Sequence, residues 1–520
     1  MSNNQREILL NPNSLFHKLV KLGVGGFFLR ALQSIYHQVS YCIKLSSGLS
    51  EIFPSNVGVK QGCVLSPTLF NLFTQDLPDI FDEGCMPPIL FDIPVSCLMY
   101  ADDLVIISQT AAGLQNALNL LNVYCQKWHL TVNIQKTKIM VFNKGGKTLK
   151  KHRFQYNQDL LEVTASYQYL GIVFSSCGSF TKAVEHLTNQ AFKAMFKLKQ
   201  KLNMQNVPTA LKLFDVLILP IIRYCSEVWS PFFTKAINER NFLHLCDKLP
   251  AEKLHTNFCR FLLYVNRKAS NIAVRAELGR RPLLTSLTVH SFKYWLAVCN
   301  TKNRDSFVYK SYLASYNASR EGAPGWAMFI HKNCDIFGMS EAWHSQGTRS
   351  KNKTTREFQQ SVLELHDRNW WQDLCREDSK LRTYKEFKGT IQMENYLLAI
   401  KNPLNRREFT RLRISAHQLQ IERGRYTVPR KTPIERRLCT TCNVLEDEKH
   451  FVLTCPRHDK ERQELFNYLG SFTTFQSLTA DDKFKYIMSY NLGDTEVLTH
   501  VVDFVNRAIE TRTSIMSVRN

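Results

Sequence analysis

Two apolar runs, Val95 to Met99 and Leu104 to Ile107, meet at Ala101-Asp102-Asp103, the only polar break between them. Their aliphatic and β-branched residues predict a β-hairpin with acid at its tip, and runs this apolar predict that both strands are largely buried. Upstream, Ser14 to Tyr36 places apolar residues at helical spacing, broken at Gly23, Gly25 and Gly26. Gly58 to Asn71 predicts a loop and then a helix, with Ser66 as N-cap and Pro67 at the first helical position, where a missing N–H costs nothing. Beyond the hairpin, Leu114, Leu118, Leu121, Cys125 and Trp128 fall on one helical face. Val132 and Ile134 alternate with polar neighbours, Ile139, Val141 and Phe142 resume a strand pattern, and Tyr167 to Phe174 reads as a strand interrupted at Gly171. Thr181 to Leu202 is helical by the spacing of Val184, Leu187, Ala191, Met195, Leu198 and Leu202, with Lys182, Lys193, Lys197, Lys199 and Lys201 on it. Leu211 to Trp229 and Phe258 to Leu263 read as further buried helices.

Charge narrows the partners. Lys plus Arg number 67 against 45 Asp plus Glu, a net charge of +22 that points to a polyanion, with nucleic acid the natural candidate. No run of eighteen apolar residues exists, so no membrane span is predicted, and Met1 to Pro12 lacks the regions of a secretory signal. The expected location is cytoplasm or nucleus. Fifteen cysteines are scattered over the chain, most in apolar stretches such as those of Cys225, Cys246 and Cys259, which suits reduced thiols. Between 300 and 355 Gly, Ser, Asn, Lys and Arg mix around Gly322-Ala323-Pro324-Gly325, predicting a flexible junction. Past it, Trp370, Trp371, Tyr384, Phe387 and Tyr396 interleave with arginines up to Arg406, Arg407, Arg411, Arg413, Arg423 and Arg425. Aromatics among cations suit a clamp for single-stranded RNA, and equally the core and rim of a helical domain.

Two clusters carry chemistry. Adjacent Asp102 and Asp103 repel each other, so a cation must screen them or one must take a proton; hard oxygen ligands select Mg²⁺ or Mn²⁺. The plain alternative is an Asp-rich turn. Near the C-terminus, Cys439, Cys442, His450 and Cys455 follow the pattern Cys-x2-Cys-x7-His-x4-Cys, a spacing and ligand set suited to one structural Zn²⁺. The alternative is a set of reduced cysteines that meet no metal.

Tyr100-Ala101-Asp102-Asp103 between two hydrophobic strands resembles the active-site hairpin of reverse transcriptases. Its neighbours are similar, in order, to motifs of the non-LTR (LINE-type) retrotransposon polymerases: Gly58-Val59-Lys60-Gln61-Gly62-Cys63-Val64-Leu65-Ser66-Pro67, then Leu130 to Lys138, then Tyr169-Leu170-Gly171-Ile172. That resemblance implies RNA-directed DNA synthesis with two Mg²⁺ or Mn²⁺ ions, Asp102 bridging them and Asp103 more peripheral. It further implies that Gln61, Gly62 and Tyr100 contact nucleotide or template, Lys136 sits near the leaving pyrophosphate, and Leu170 and Gly171 steady the primer end. RNA template, RNA/DNA hybrid and dNTP would be the partners, and a C-terminal Cys-Cys-His-Cys segment with one structural Zn²⁺ fits the same family. The family's first metal-binding aspartate has no match: no aspartate precedes Asp76, and the acids before it are Glu7 and Glu51. The expectation is therefore an N-terminally truncated and catalytically impaired polymerase, with a non-catalytic nucleic-acid-binding protein or a transposon remnant as alternatives.

The implied fold class is α+β: an incomplete right-hand fingers and palm with a helical thumb, then a mainly α region holding a small zinc module. In residues, 1–13 is an unrelated or ragged start, 14–175 the fingers and palm, 176–299 the thumb and connection, 300–355 the junction, 356–435 the basic aromatic region, 436–462 the zinc module and 463–520 C-terminal helices.

Overall fold

The computed structural model describes residues 11–36, 39–46, 48–55, 62–146, 152–202, 205–234, 237–238, 241–347, 350–471, 473–490 and 494–517. These divide into two units, 1–180 and 181–520.

In the first unit, the side chain of Asn11 accepts the Asn13 N–H and starts α1 (Pro12–Lys21), which is followed by α2 (Gly26–Tyr36). Four short strands come next, β1 (Val39–Tyr41), β2 (Lys44–Leu45), β3 (Gly48–Leu49) and β4 (Phe53–Ser55), paired antiparallel as β1 with β4 and β2 with β3. Helix α3 (Ser66–Thr74) starts one residue earlier than its sequence signal. Leu65 is the capping position, and the Ser66 hydroxyl lies 3.2 Å from that of Tyr36 instead of serving as the cap. The chain continues through β5 (Ile89–Leu90), β6 (Ile93–Pro94), β7 (Cys97–Tyr100), β8 (Asp103–Ile106), α4 (Ala111–Trp128), β9 (Lys138–Ile139), β10 (Phe154–Tyr156), β11 (Asp159–Val163), β12 (Ser166–Tyr169) and β13 (Ile172–Ser175). Strands β10 and β11 pair antiparallel, β11 and β9 parallel, and β12 and β13 form a hairpin. Val141 and Phe142, expected in a strand, lie beyond the end of β9.

Apolar stripes on α1, α3 and α4 make the core: Leu15, Leu19, Phe73, Leu118, Leu121 and Trp128 pack with Phe154 and Leu161. One cation is buried among them. The Lys18 ammonium lies 2.6 Å from the Asp76 carboxylate, the Phe73 carbonyl and the Tyr124 hydroxyl, over the rings of Phe73, Tyr124 and Trp128. Burial lowers the pKa of this amine, and Asp76 opposes that by favouring the charged form.

The second unit is helical. Its elements are α5 (Thr181–Lys201), α6 (Val207–Leu213), α7 (Leu219–Arg223), α8 (Ser226–Thr234), α9 (Phe242–Lys248), α10 (Pro250–Leu263), α11 (Asn271–Glu277), α12 (Leu283–Cys299), α13 (Phe307–Arg320), α14 (Trp326–Ile336), α15 (Ser340–His344), α16 (Lys351–Cys375), α17 (Tyr396–Ala399), α18 (Pro403–Arg413), α19 (Gln420–Arg423), α20 (Asp459–Gly470), α21 (Thr473–Gln476), α22 (Ala480–Lys485) and α23 (Thr495–Ser517). Ala183, Val184, Leu187, Ala191 and Met195 form the buried face of α5, as its spacing predicts. Among the described residues, no helix is long and apolar enough to cross a membrane.

Two expectations change here. The stretch 300–355, expected as a flexible junction, carries α13, α14 and α15, whose Phe329, Ile330, Cys334 and Trp343 are buried. Most of its polar residues lie on the outer helix faces, Asn333 being a buried exception, a pattern that mixed composition conceals. The aromatics Trp370, Tyr384 and Tyr396, left open between RNA clamp and core, are core, whereas Trp371 is exposed.

Arg406 and Arg413 are buried with them. Arg413 Nε and Nη2 donate to Glu277 at 3.1 and 3.0 Å, Nη2 also reaches Glu394 at 2.8 Å, and Nη1 donates to the Met488 carbonyl. Tyr384 donates to the same Glu277 carboxylate at 2.9 Å. Removing the guanidinium leaves Glu277 buried with its main counter-charge gone, which typically costs about 3–5 kcal/mol. Arg413→Met is accordingly expected to lower the unfolding free energy of the second unit by about that amount, with Glu277→Gln added to it recovering part. Chemical denaturation followed by tryptophan emission checks this, since five of the seven tryptophans lie between residues 295 and 371, within that unit, alongside Trp229.

Candidate functional site

The hairpin at Asp102 and Asp103 forms as its sequence predicts, with Cys97 opposite Ile106 and Tyr100 opposite Asp103. The turn is only Ala101-Asp102, so it must bend sharply, and Ala101 sits at φ +52°. A non-glycine residue there is strained. Both carboxylates are exposed at the tip. The strands are only half-buried, contrary to the expectation of burial, and Tyr100 is 65% exposed. The reason is that β7 and β8 pair with each other and, among the described residues, with no further strand, so each keeps an open edge.

A cavity of about 1020 Å³ lies against this hairpin. Its walls include Leu98, Ile106, Leu118, Val132 and Ile139, and its polar lining includes Asp102, Asp103, Asn133, Lys136, Tyr167 and Tyr169. Asp102 and Asp103 are the only carboxylates among the lining residues. Lys136 is held on a turn in which its N–H bonds Asn133 and its carbonyl accepts the Tyr167 hydroxyl at 3.0 Å. Burial and the neighbouring Asp103 charge raise the Tyr169 pKa, which puts that ring beside the acid tip. The next turn, Leu170-Gly171, has φ of +45° and +80°, the two positive values that a tight two-residue hairpin turn demands and that glycine supplies cheaply. The structure therefore brings Asp102, Asp103 and Lys136 to one cavity, with Tyr100, Leu170 and Gly171 outside its lining. Gly62, at φ +77° with open space where a Cβ would stand, is also outside it, and Gln61 lies outside the described residues. The Tyr167 support of Lys136 was invisible in sequence, because the partners are thirty-one residues apart.

The second cluster closes on itself. Leu438 bridges Leu445, the Cys439 N–H bonds the Val444 carbonyl, and Asn443 turns the chain at φ +55°, making a knuckle that presents Cys439 and Cys442. A turn at His450 to Thr454 then returns Cys455 to the pair. The three sulfurs are 3.8, 3.9 and 3.8 Å apart, and all four ligand atoms lie within 4.8 Å of one another. A tetrahedron with Zn–S bonds of about 2.3 Å has sulfur–sulfur edges of about 3.8 Å. His450 Nδ1 is 3.0 Å from the Thr454 hydroxyl, while Nε2 is buried without a hydrogen-bond partner. Burial lowers the His450 pKa, keeping the imidazole neutral, and pushes the Cys455 thiol up to about 12, so a thiolate there needs a cation. These residues fit a zinc ion and leave no open ligand position.

Two acids of the intervening loop, Glu446 and Glu448, are buried. Glu446 takes Arg512 at 2.9 and 2.8 Å, and Glu448 takes Ser415, His417 and Arg382. His458 and Arg462 are likewise internal. Arg462 caps the Val452 and Cys455 carbonyls, and burial drops His458 to about 4.

Comparison with known proteins fits the first unit. Residues 14–174 match the family described as reverse transcriptase (RNA-dependent DNA polymerase). The chain thus carries a reverse transcriptase domain, and its relatives are polymerases of non-LTR elements. The "Probable RNA-directed DNA polymerase from transposon BS" of Drosophila melanogaster is 25% identical over 229 residues, 42% of this chain and 24% of the relative. The RNA-directed DNA polymerase from mobile element jockey of Drosophila funebris is 25% identical over 187 residues, 33% of this chain and 19% of the relative. A retrovirus-related Pol polyprotein from type-1 retrotransposable element R2 of Popillia japonica is 28% identical over 154 residues, 28% of this chain and 25% of the relative. The matches span a quarter or less of each relative's length.

Metal analysis is expected to find one zinc per chain, most of it lost in Cys442→Ser. Cys225→Ser is expected to retain it, since Cys225 sits in a half-buried turn between α7 and α8, away from the cluster. Chelation should loosen residues 436–462, read by proteolysis, without altering the first unit.

Proposed function

We propose that this chain is the polymerase segment of a non-LTR retrotransposon protein, with 14–175 as fingers and palm and 176–299 as helical thumb and connection. The observation that carries this is the acid-tipped hairpin sharing a cavity with Lys136 inside a domain that matches reverse transcriptases. Asp102 and Asp103 would hold Mg²⁺ or Mn²⁺ and Lys136 would stabilise charge on the leaving pyrophosphate. Gln61, Gly62 and Tyr100 would meet nucleotide or template, and Leu170 and Gly171 the primer end. RNA template, RNA/DNA hybrid and dNTP are the partners of this reading. The net charge of +22 supports it, as do Lys193 and Lys197 on the outer face of α5, where phosphates can be gripped without reading sequence. A structural Zn²⁺ on Cys439, Cys442, His450 and Cys455 would stabilise the C-terminal region.

One feature favours a second reading, in which the chain binds nucleic acid but catalyses poorly. Two-metal chemistry uses carboxylates from more than one strand, and among the described residues Asp102 and Asp103 are the only carboxylates lining the cavity.

Primer extension on an RNA template with Mg²⁺ or Mn²⁺ separates the two. The purified 520-residue chain is expected to show none above background. Robust extension abolished by Asp102→Ala would overturn the impairment and keep the polymerase assignment. In either case, RNA/DNA hybrid affinity, measured by fluorescence anisotropy, should fall at least about tenfold between 50 and 200 mM salt.

A further inference from the structure

Residues 425–431 form a loop with a rigid neck just ahead of the Cys439 knuckle. The Thr432 N–H bonds the Gly424 carbonyl at 2.9 Å, and the Thr427 and Thr432 hydroxyls are 2.9 Å apart. Buried Arg437 locks this neck, donating to the Thr432 and Ile421 carbonyls at 2.8 and 2.7 Å. Its stem lies so close to Gly424 that a Cβ there would meet it at 2.7 Å. The loop therefore stands on a fixed base while its own side chains face solvent. Tyr426 is 46% exposed, and Arg430, Lys431 and Arg436 are exposed.

Cations gather here without matching acids. The Lys268 ammonium lies over the Tyr426 ring at 4.2 Å, and Lys380 donates to the Lys268 carbonyl at 2.5 Å, bringing a second chain segment to the loop. Of the nearby carboxylates, Glu422 is taken by Arg382 and Arg425, and Asp378 by Arg376, leaving Glu435 as the loop's own acid. Burial lowers the Lys380 pKa, with Glu422 opposing that and Arg425 and Arg260 adding to it.

We propose that Tyr426, with Lys268, Lys380, Arg430, Lys431 and Arg436, forms a binding surface for single-stranded nucleic acid. The cations supply phosphate contacts. A half-exposed tyrosine among them stacks on a base only when that base is free of a duplex, which favours a single strand over a double one. Tyr426 lies within the basic aromatic region 356–435 but is not one of the aromatics named there for a clamp, of which Trp370, Tyr384 and Tyr396 are core. It builds on the nucleic-acid reading above, but its test does not depend on polymerisation.

Fluorescence anisotropy of the full chain with labelled single-stranded RNA, single-stranded DNA and a duplex tests it. Arg430→Ala/Lys431→Ala/Arg436→Ala should weaken single-strand binding about tenfold or more and reduce the salt slope by about 2. Tyr426→Ala should weaken single-strand binding about tenfold and duplex binding little, with Tyr426→Phe near parent. Equal losses on RNA and DNA, or loss on one alone, both support the surface and say which strand it takes. Parent-like binding by both the triple variant and Tyr426→Ala, with zinc content and helicity unchanged, overturns it. Equal loss on duplex and single strand in the triple variant with no effect of Tyr426→Ala also overturns it, as general polyanion attraction. Loop-dependent strand binding supports this surface whether or not the chain extends a primer; extension activity with loop-independent binding sinks this proposal and leaves the polymerase reading standing.

Discussion

A charge taken out of water must find its counter-charge inside the protein, and that requirement organises much of the second unit. Glu277 and Arg413 are both fully buried and joined by two hydrogen bonds, with Glu394, Tyr384 and the Met488 carbonyl completing the network. This ties together the end of α11, the end of α18 and the turn after α22. The Cys439–Cys455 segment obeys the same rule. Its acids Glu446 and Glu448 are buried, so they bind Arg512 of α23, and Arg382, Ser415 and His417. A loop with an acidic sequence thereby becomes an anchor, and the outward-facing positive charge falls to the neighbouring loop around Tyr426.

The two chemical sites differ in the way their proposed roles demand. The Cys/His cluster is closed, with Cys439 and Cys455 buried and four ligand atoms facing one point, an arrangement with no room for a substrate. The acid hairpin is open. Its carboxylates are exposed at the rim of a large, mostly apolar cavity. Carboxylates that must take up and release a metal-bound nucleotide need that access, whereas a structural ion does not.

What the sequence alone determined is local. Period-two and period-3.6 patterns gave the acid hairpin and the stripes of α4 and α5, because a strand or helix with one apolar face forms wherever that face can be buried, whereas the strand interrupted at Gly171 folds back on itself as a second hairpin. Ligand spacing gave the Cys/His cluster, since Cys-x2-Cys constrains a knuckle over four residues. Tertiary structure decided everything that depends on what covers a face. Strands β7 and β8 read as buried, but burial requires a neighbouring strand on each edge, and their composition cannot supply one. Tyr384 and Arg413 read equally as a clamp or a core in the sequence, and their partner Glu277, more than a hundred residues earlier, makes them core. Lys18 falls between Leu15 and Leu19 on α1 with no local sign of its role, because Asp76 and Tyr124 arrive from α3's end and from α4. Pattern fixes which residues share a surface; only the folded chain brings together the surfaces that neutralise one another's charge.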